Sequence, residues 1–140
     1  MAARLLDDHL DDPGTWTLTL TGDRPMTMNS HRTLHPMVRA KVDKVYRQAF
    51  HTLARARKVP ALQTIRLIIT PLHKDGRSPQ DVAACAPAAK AAVDGLVDAH
   101  VIPADTPVHV RQITFLAPRV CGVNGREIVV VDLSAGGVVT

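Results

Sequence analysis

Over residues 36–58 the apolar residues Val38, Val42, Val45, Tyr46, Ala49, Phe50 and Leu53 recur at steps of three and four. No other feature of the chain constrains its fold so strongly, because that spacing lines one stripe of a helix and the stripe must be covered. Pro36 suits a first helical position, where a missing N–H costs nothing, and Pro60 stops the run. The remaining circumference carries Lys41, Lys44, Arg47, Arg55 and Lys58. The segment holds seven basic residues against Asp43 alone, a local balance of +6. An ordinary solvated face is the plainer reading of such a set. Solvated faces mix both signs, however, so a one-signed face points to phosphate contact.

The cover for that stripe is read from period-2 segments on either side. Residues 16–21, WTLTLT, alternate large apolar side chains with Thr, as a half-buried strand does. Residues 62–70, LQTIRLIIT, are rich in β-branched side chains and form a second strand. The loop GDRPMTMNSHRTLHP joins the first strand to the helix and bears Arg24, Asn29, His31, Arg32 and His35. After the second strand, PLHKDGRSPQ carries Lys74 and Arg77 into an alanine-rich helix over 83–100, with Pro87 in its first turn and Gly95 near its end. Residues 108–116 and 127–133 read as a closing pair of strands, with Asn124-Gly125 as the hairpin signal between them. The order β-α-β-α-β-β predicts an α/β (α+β) domain: a mixed sheet with two helices.

A chain of 140 residues suits one such domain, placed at 15–133 between an acidic segment at 1–14 and a tail at 134–140, both expected to be flexible. Aromatic residues make up only 3%, so Ala, Val, Leu and Ile must fill the interior. No apolar run is long enough to span a membrane, and the N-terminus lacks the apolar core of a signal segment. Cys85 and Cys121 lack metal-ligand spacing and are expected to be buried, reduced thiols of a cytoplasmic protein. The formal charge is +4, but residues 1–12 set Arg4 against Asp7, Asp8, Asp11 and Asp12, a balance of −3 that leaves +7 for the rest. An excess of that size suits a polyanionic partner, nucleic acid above all. There is no Walker motif, Gly-rich phosphate loop or dinucleotide fingerprint.

The stretch DVAACAPAAKAAVDGLVDAHVIPAD, residues 81–105, runs from one acid through a helix with a single lysine to a second isolated acid in a Pro-flanked loop. It resembles the active-site segment of the RusA family of Holliday junction resolvases, small phage and bacterial endonucleases of DNA recombination and repair. The likeness extends over about 15–133 and includes the loop Pro25-Met26-Thr27-Met28-Asn29. It implies a RusA-like domain, a homodimer acting on branched DNA (a four-way junction), and Mg²⁺ as cofactor. Residue by residue it assigns Asp81 and Asp105 as catalytic metal ligands and Lys90 as a catalytic group near the scissile phosphate. It places Arg24, Asn29, Arg32, Lys74 and Arg77 on the rim of a DNA-binding face that Lys41, Lys44 and Arg47 extend. The family segment typically opens Asp-x-Asp-Asn-Leu; here Ala83 and Ala84 stand for the second Asp and the Asn, and Cys85 for the Leu.

Hydrolysis of a phosphodiester by Mg²⁺ calls for carboxylates that hold the ion while it neutralises the phosphate and activates water. With Ala83 in place of an acid, Asp81 and Asp105 would hold Mg²⁺ weakly or not at all. Without the resemblance Asp81 reads as a helix cap and Lys90 as a surface lysine. Three functions follow: a Mg²⁺-dependent endodeoxyribonuclease that cuts junctions, with activity reduced; a pseudo-nuclease that keeps the fold and grips DNA or a protein partner; or a module that binds protein alone. The basic balance speaks against the last, and Ala83-Ala84 favours the second.

Overall fold

The strand that comes last among the described residues takes an inner lane of the sheet. In the computed structural model, which describes residues 13–22, 26–77 and 85–134, β5 (Gly125–Asp132) lies between β1 (Thr15–Thr21) and β2 (Ile65–His73), antiparallel to both. Strand β3 (Val110–Phe115) pairs with β2 in parallel, and the two-residue β4 (Arg119–Val120) continues that lane along the end of β2. The sheet order is β1-β5-β2-β3, with β4 on β2. The helices are α1 (Met28–Thr33), α2 (Pro36–Ala56) and α3 (Ala86–Asp98). The α+β fold with a mixed sheet is as the periodicities imply.

Alternation along the strands decides which side the helices cover. Leu18 of β1, Ile65, Leu67 and Ile69 of β2, and Ile128 and Val130 of β5 point one way and are buried in a single cluster with Phe50 and Ala54 of α2 and Ala89, Ala92, Val93 and Leu96 of α3. Here small residues take the place of missing aromatics. Gly95 is where the two helices come closest: a Cβ built on it would lie 2.7 Å from the Arg47 carbonyl oxygen and 2.8 Å from Phe50 Cβ.

Several sequence expectations are corrected. The strands at 110–115 and 125–132 do not form a hairpin; β5 inserts between β1 and β2 instead, and Asn124 serves as a tie, its carbonyl accepting from Gly22 N–H at 2.8 Å and its side-chain oxygen from Lys74 N–H at 2.8 Å. The loop after β1 contains a third helix, α1, capped by Thr27, whose hydroxyl accepts from Ser30 N–H. The apolar stripe of α2 is rotated: Phe50 and Ala54 are buried, whereas Val38 and Val45 are 47% and 62% exposed. The flank turned inward carries Asp43, beside His31 of α1, and Arg47, which reaches Asp98 of α3. Strand β2 starts three residues later than expected and continues through His73 because β4 supplies it with partners. Cys85 is buried, and burial pushes its thiol up; Cys121 is exposed, contrary to expectation.

Glycine ordinarily weakens a helix, so Gly95→Ala would stabilise an isolated α3 by about 1 kcal/mol. In this fold the added methyl has no room, and overpacking should dominate, costing about 1–3 kcal/mol. Urea unfolding of the variant is expected to show a lower midpoint at unchanged slope; a raised midpoint would mean that the helices part freely.

Candidate functional site

Residues fifteen apart in the chain, Lys90 and Asp105, meet at one point because of how α3 ends. His100 adopts a left-handed backbone, φ 61°, and reverses the chain. Val101 and Ile102 are then buried against the core, and Val101 N–H returns to the Leu96 carbonyl at 2.9 Å. His109 N–H and Val110 N–H both donate to the Thr106 carbonyl at 2.9 Å, which fixes the approach to β3. Asp105 is thereby held beside the middle of α3.

The Lys90 ammonium donates to Asp105 Oδ2 at 2.9 Å and to Asp94 Oδ1, one turn along the helix, also at 2.9 Å. Lys90 remains 65% exposed on its side chain and Asp105 49%. The hydrogen bond from Lys90, backed by its charge, holds the Asp105 carboxyl below the usual carboxylate range; the same bonds raise the lysine. Lys90 stands on a ridge between two grooves. One, of about 590 Å³, runs between α2 and α3; the other, of about 450 Å³, lies between α3 and β3 and includes Asp105 and Arg111.

The α2–α3 groove is a row of paired charges. Arg47 donates to Asp98 through Nε at 2.5 Å and Nη2 at 2.7 Å, which depresses Asp98 and raises Arg47. His31 Nε2 lies 2.7 Å from Asp43 Oδ1. Lys90 on Asp94 and Arg47 on Asp98 are pairs of opposite charge, Asp43 faces the His31 ring, and Lys44 lines the groove outside these pairs among the described residues.

The other described residues singled out in the sequence lie on α1, on α2 and in the loop after β2. Lys41 and Lys44 are exposed on α2. Asn29 and Arg32 are exposed on α1 and bonded to each other, Arg32 Nη2 donating to Asn29 Oδ1. Lys74 and Arg77 are exposed in the loop after β2, where Arg77 N–H donates to Asp75 Oδ1 at 3.0 Å. Arg24 and Asp81 lie outside the described residues, as do Ala83 and Ala84.

Two participants escape a reading of the sequence. Asp94, which falls on the helix away from the expected pocket, shares Lys90 with Asp105; its i,i+4 spacing from Lys90 is the signal that could have revealed it. Arg126 is buried with its guanidinium carbon 4.5 Å from the centre of the Tyr46 ring, a contact joining β5 to α2 that no local pattern announces. Among the described residues no three His, Cys, Asp or Glu side chains gather to hold a metal. Asp105 and Asp94 are oxygen donors of the kind Mg²⁺ takes, and both share their charge with Lys90. The chain matches no protein-family model and no curated protein. No helix among the described residues is long and apolar enough to cross a membrane.

The sign of the Asp105 shift gives a pH expectation. A carboxyl depressed in the fold stabilises it above the ordinary carboxylate range, and that contribution disappears as pH falls through the depressed value. Lys90→Met should return the Asp105 titration upward to the ordinary range in a carboxyl-detected NMR experiment. An unmoved titration would show that the ion pair is not formed in solution.

Proposed function

We propose that this chain is a RusA-like endodeoxyribonuclease: a homodimer that grips four-way DNA junctions and nicks them with Mg²⁺, at reduced activity because Ala83 and Ala84 replace an acid and an amide of the motif. The observation that carries the proposal is the convergence of Lys90 and Asp105 at 2.9 Å, two positions that the resemblance assigns to one site. A second support is the position of Lys90 beside the groove whose far wall is the basic helix α2. In this reading Asp81 and Asp105 hold the metal, which when bound supplies charge neutralisation and an activated water. Lys90 donates to a non-bridging phosphate oxygen, with Asp94 fixing its ammonium. Lys41 and Lys44, exposed on α2, contact the backbone of the DNA arms. Two cuts related by symmetry are the reason for a two-fold dimer.

The second reading, a pseudo-nuclease that occupies junctions or a protein partner without cutting, is favoured by the same ion pair. Asp105 already spends its charge on Lys90, and a metal has to displace that ammonium with one motif acid missing.

Incubating the protein with a synthetic four-way junction, with and without Mg²⁺ or Mn²⁺, separates the outcomes. Retarded junction is expected, with affinity falling at a slope of about −4 to −5 in log K against log salt if about four to six phosphates are neutralised. Lys41→Glu with Lys44→Glu should weaken binding in a folded protein; Arg47 is left intact because its loss would strand Asp98. Junction affinity unchanged by that pair would remove α2 from the DNA face. Nicking should be slow and should vanish in Asp81→Asn and in Asp105→Asn. Cutting that survives both places the chemistry elsewhere.

Motif repair decides between the two readings. Ala83→Asp together with Ala84→Asn should raise nicking, since a carboxylate near a helix start is tolerated by the helix dipole. A folded, junction-binding double variant that still cuts nothing would establish the pseudo-nuclease.

A further inference from the structure

The large apolar side chains left exposed among the described residues gather in two places. One follows the β3–β4 lane; the other is Met28, Met37, Val38 and Val45 on α1 and α2. The second place shares α2 with the exposed Lys41, Lys44 and Arg55. On a helix of 100° per residue Val38 and Val45 lie opposite Arg47, and Arg47 faces α3 through Asp98. The valines therefore look away from α3, toward the flank where α2 meets β1. Lys41 and then Arg55 follow them around the helix, with Lys44 at the border of the α2–α3 groove, none of the three engaged in an ion pair among the described residues. This is an apolar strip edged on one side by cations.

The same chain holds a segment of complementary composition. Residues 1–12 contain Leu5, Leu6 and Leu10 among Asp7, Asp8, Asp11 and Asp12, with Arg4 their only Lys or Arg. The segment joins β1, the strand on the flank that the valines face. Its attachment point lies beside the start of β2, the strand that follows α2 in sequence: Gly14 accepts from Asp132 N–H at 2.8 Å, and Asp132 is opposite Ile65, where β2 begins nine residues after α2 ends. Twelve residues span up to about 40 Å when extended, and a helix of 21 residues is about 31 Å long. The segment therefore reaches along the whole of α2.

We propose that the acidic segment 1–12 docks on this face of α2, its leucines against Val38 and Val45 and its aspartates against Lys41, Lys44 and Arg55, and so shields the cationic face from outside polyanions. The inference rests on that face and on the segment's composition, not on the nucleic-acid reading. Exposed pairs are individually weak and screened by salt, so the arm is held loosely enough for a stronger polyanion to displace it.

The test uses the full chain. A nitroxide is placed at His9→Cys in a Cys121→Ser background, Cys85 being buried, and paramagnetic broadening of backbone amides is read by NMR. At about 0.1 M salt the amides of 38–52 should lose most of their intensity, and at about 1 M salt, where screening acts over about 3 Å, they should recover. Lys41→Glu with Arg55→Glu should abolish the broadening. Broadening on another surface, or on none, overturns the proposal. So does broadening in a mixture of spin-labelled, isotopically silent protein with unlabelled ¹⁵N protein, because the occupant would then be a second copy's segment. Heparin chromatography supplies a separate reading of the shielding: replacing Asp7, Asp8, Asp11 and Asp12 by Asn should delay elution to higher salt, and unchanged elution counts against it. Neither readout involves a DNA junction, so failure here and failure of the nuclease reading are told apart.

Discussion

The closest contact between the helices, Gly95 against Phe50 and the backbone of α2, sets the geometry on which everything at the surface depends. A residue with any side chain at that point would push α2 and α3 apart. With hydrogen there instead, Arg47 lies within reach of Asp98, and the groove between the helices stays narrow enough for α2 and Lys90 to border the same space. The alanines of α3 serve the same end. Ala89 and Ala92 bury little apolar area each, but they let a sheet with few aromatic residues keep both helices close.

Apart from Lys90–Asp94 within α3, the ion pairs among the described residues join one part of the fold to another. Arg47 and Asp98 join α2 to α3, His31 and Asp43 join α1 to α2, and Lys90 and Asp105 join α3 to the segment before β3. Each pair is partly exposed and contributes little to stability by itself. What the pairs do is fix where cations are free. Inside the α2–α3 groove positive and negative charges cancel, while on the outer arc of α2 they do not. Among the described residues Lys41 and Arg55 of that arc stand outside any ion pair.

Local chemistry made much of the fold legible. The stripe on α2, the Thr alternation of β1 and the β-branched run of β2 each follow from side-chain period, and Pro36 and Pro60 mark ends that the backbone enforces. Strand order was not legible, since the Asn124-Gly125 signal describes a local turn and β5 takes its place from two long-range antiparallel pairings. The rotation of α2 was hidden for a similar reason: hydrophobic spacing allows Val38 and Val45 on the buried side, but the close approach of α3 at Gly95 goes with Phe50 and Ala54 turned inward instead. At the site, the association of Lys90 with Asp105 was visible only through the resemblance, because it depends on the left-handed turn at His100. Asp94 was discounted by treating helix and pocket as separate. Arg126 lay beyond reach, since its cation–π contact with Tyr46 spans β5 and α2.

The central place of β5 has a consequence for how the chain assembles. Strands β1 and β2 do not touch each other; each waits for the last strand to come between them. During synthesis both present unpaired backbone edges until residues 125–132 emerge, by which time α2 and α3 are already available to pack. Closing the sheet requires a partner for β1 more than a hundred residues downstream, Thr15 against Val131, which makes the final step one of high contact order. The vulnerable species is therefore a chain whose helices have formed around a sheet with an empty lane between β1 and β2, a state open to strand exchange with a neighbouring copy.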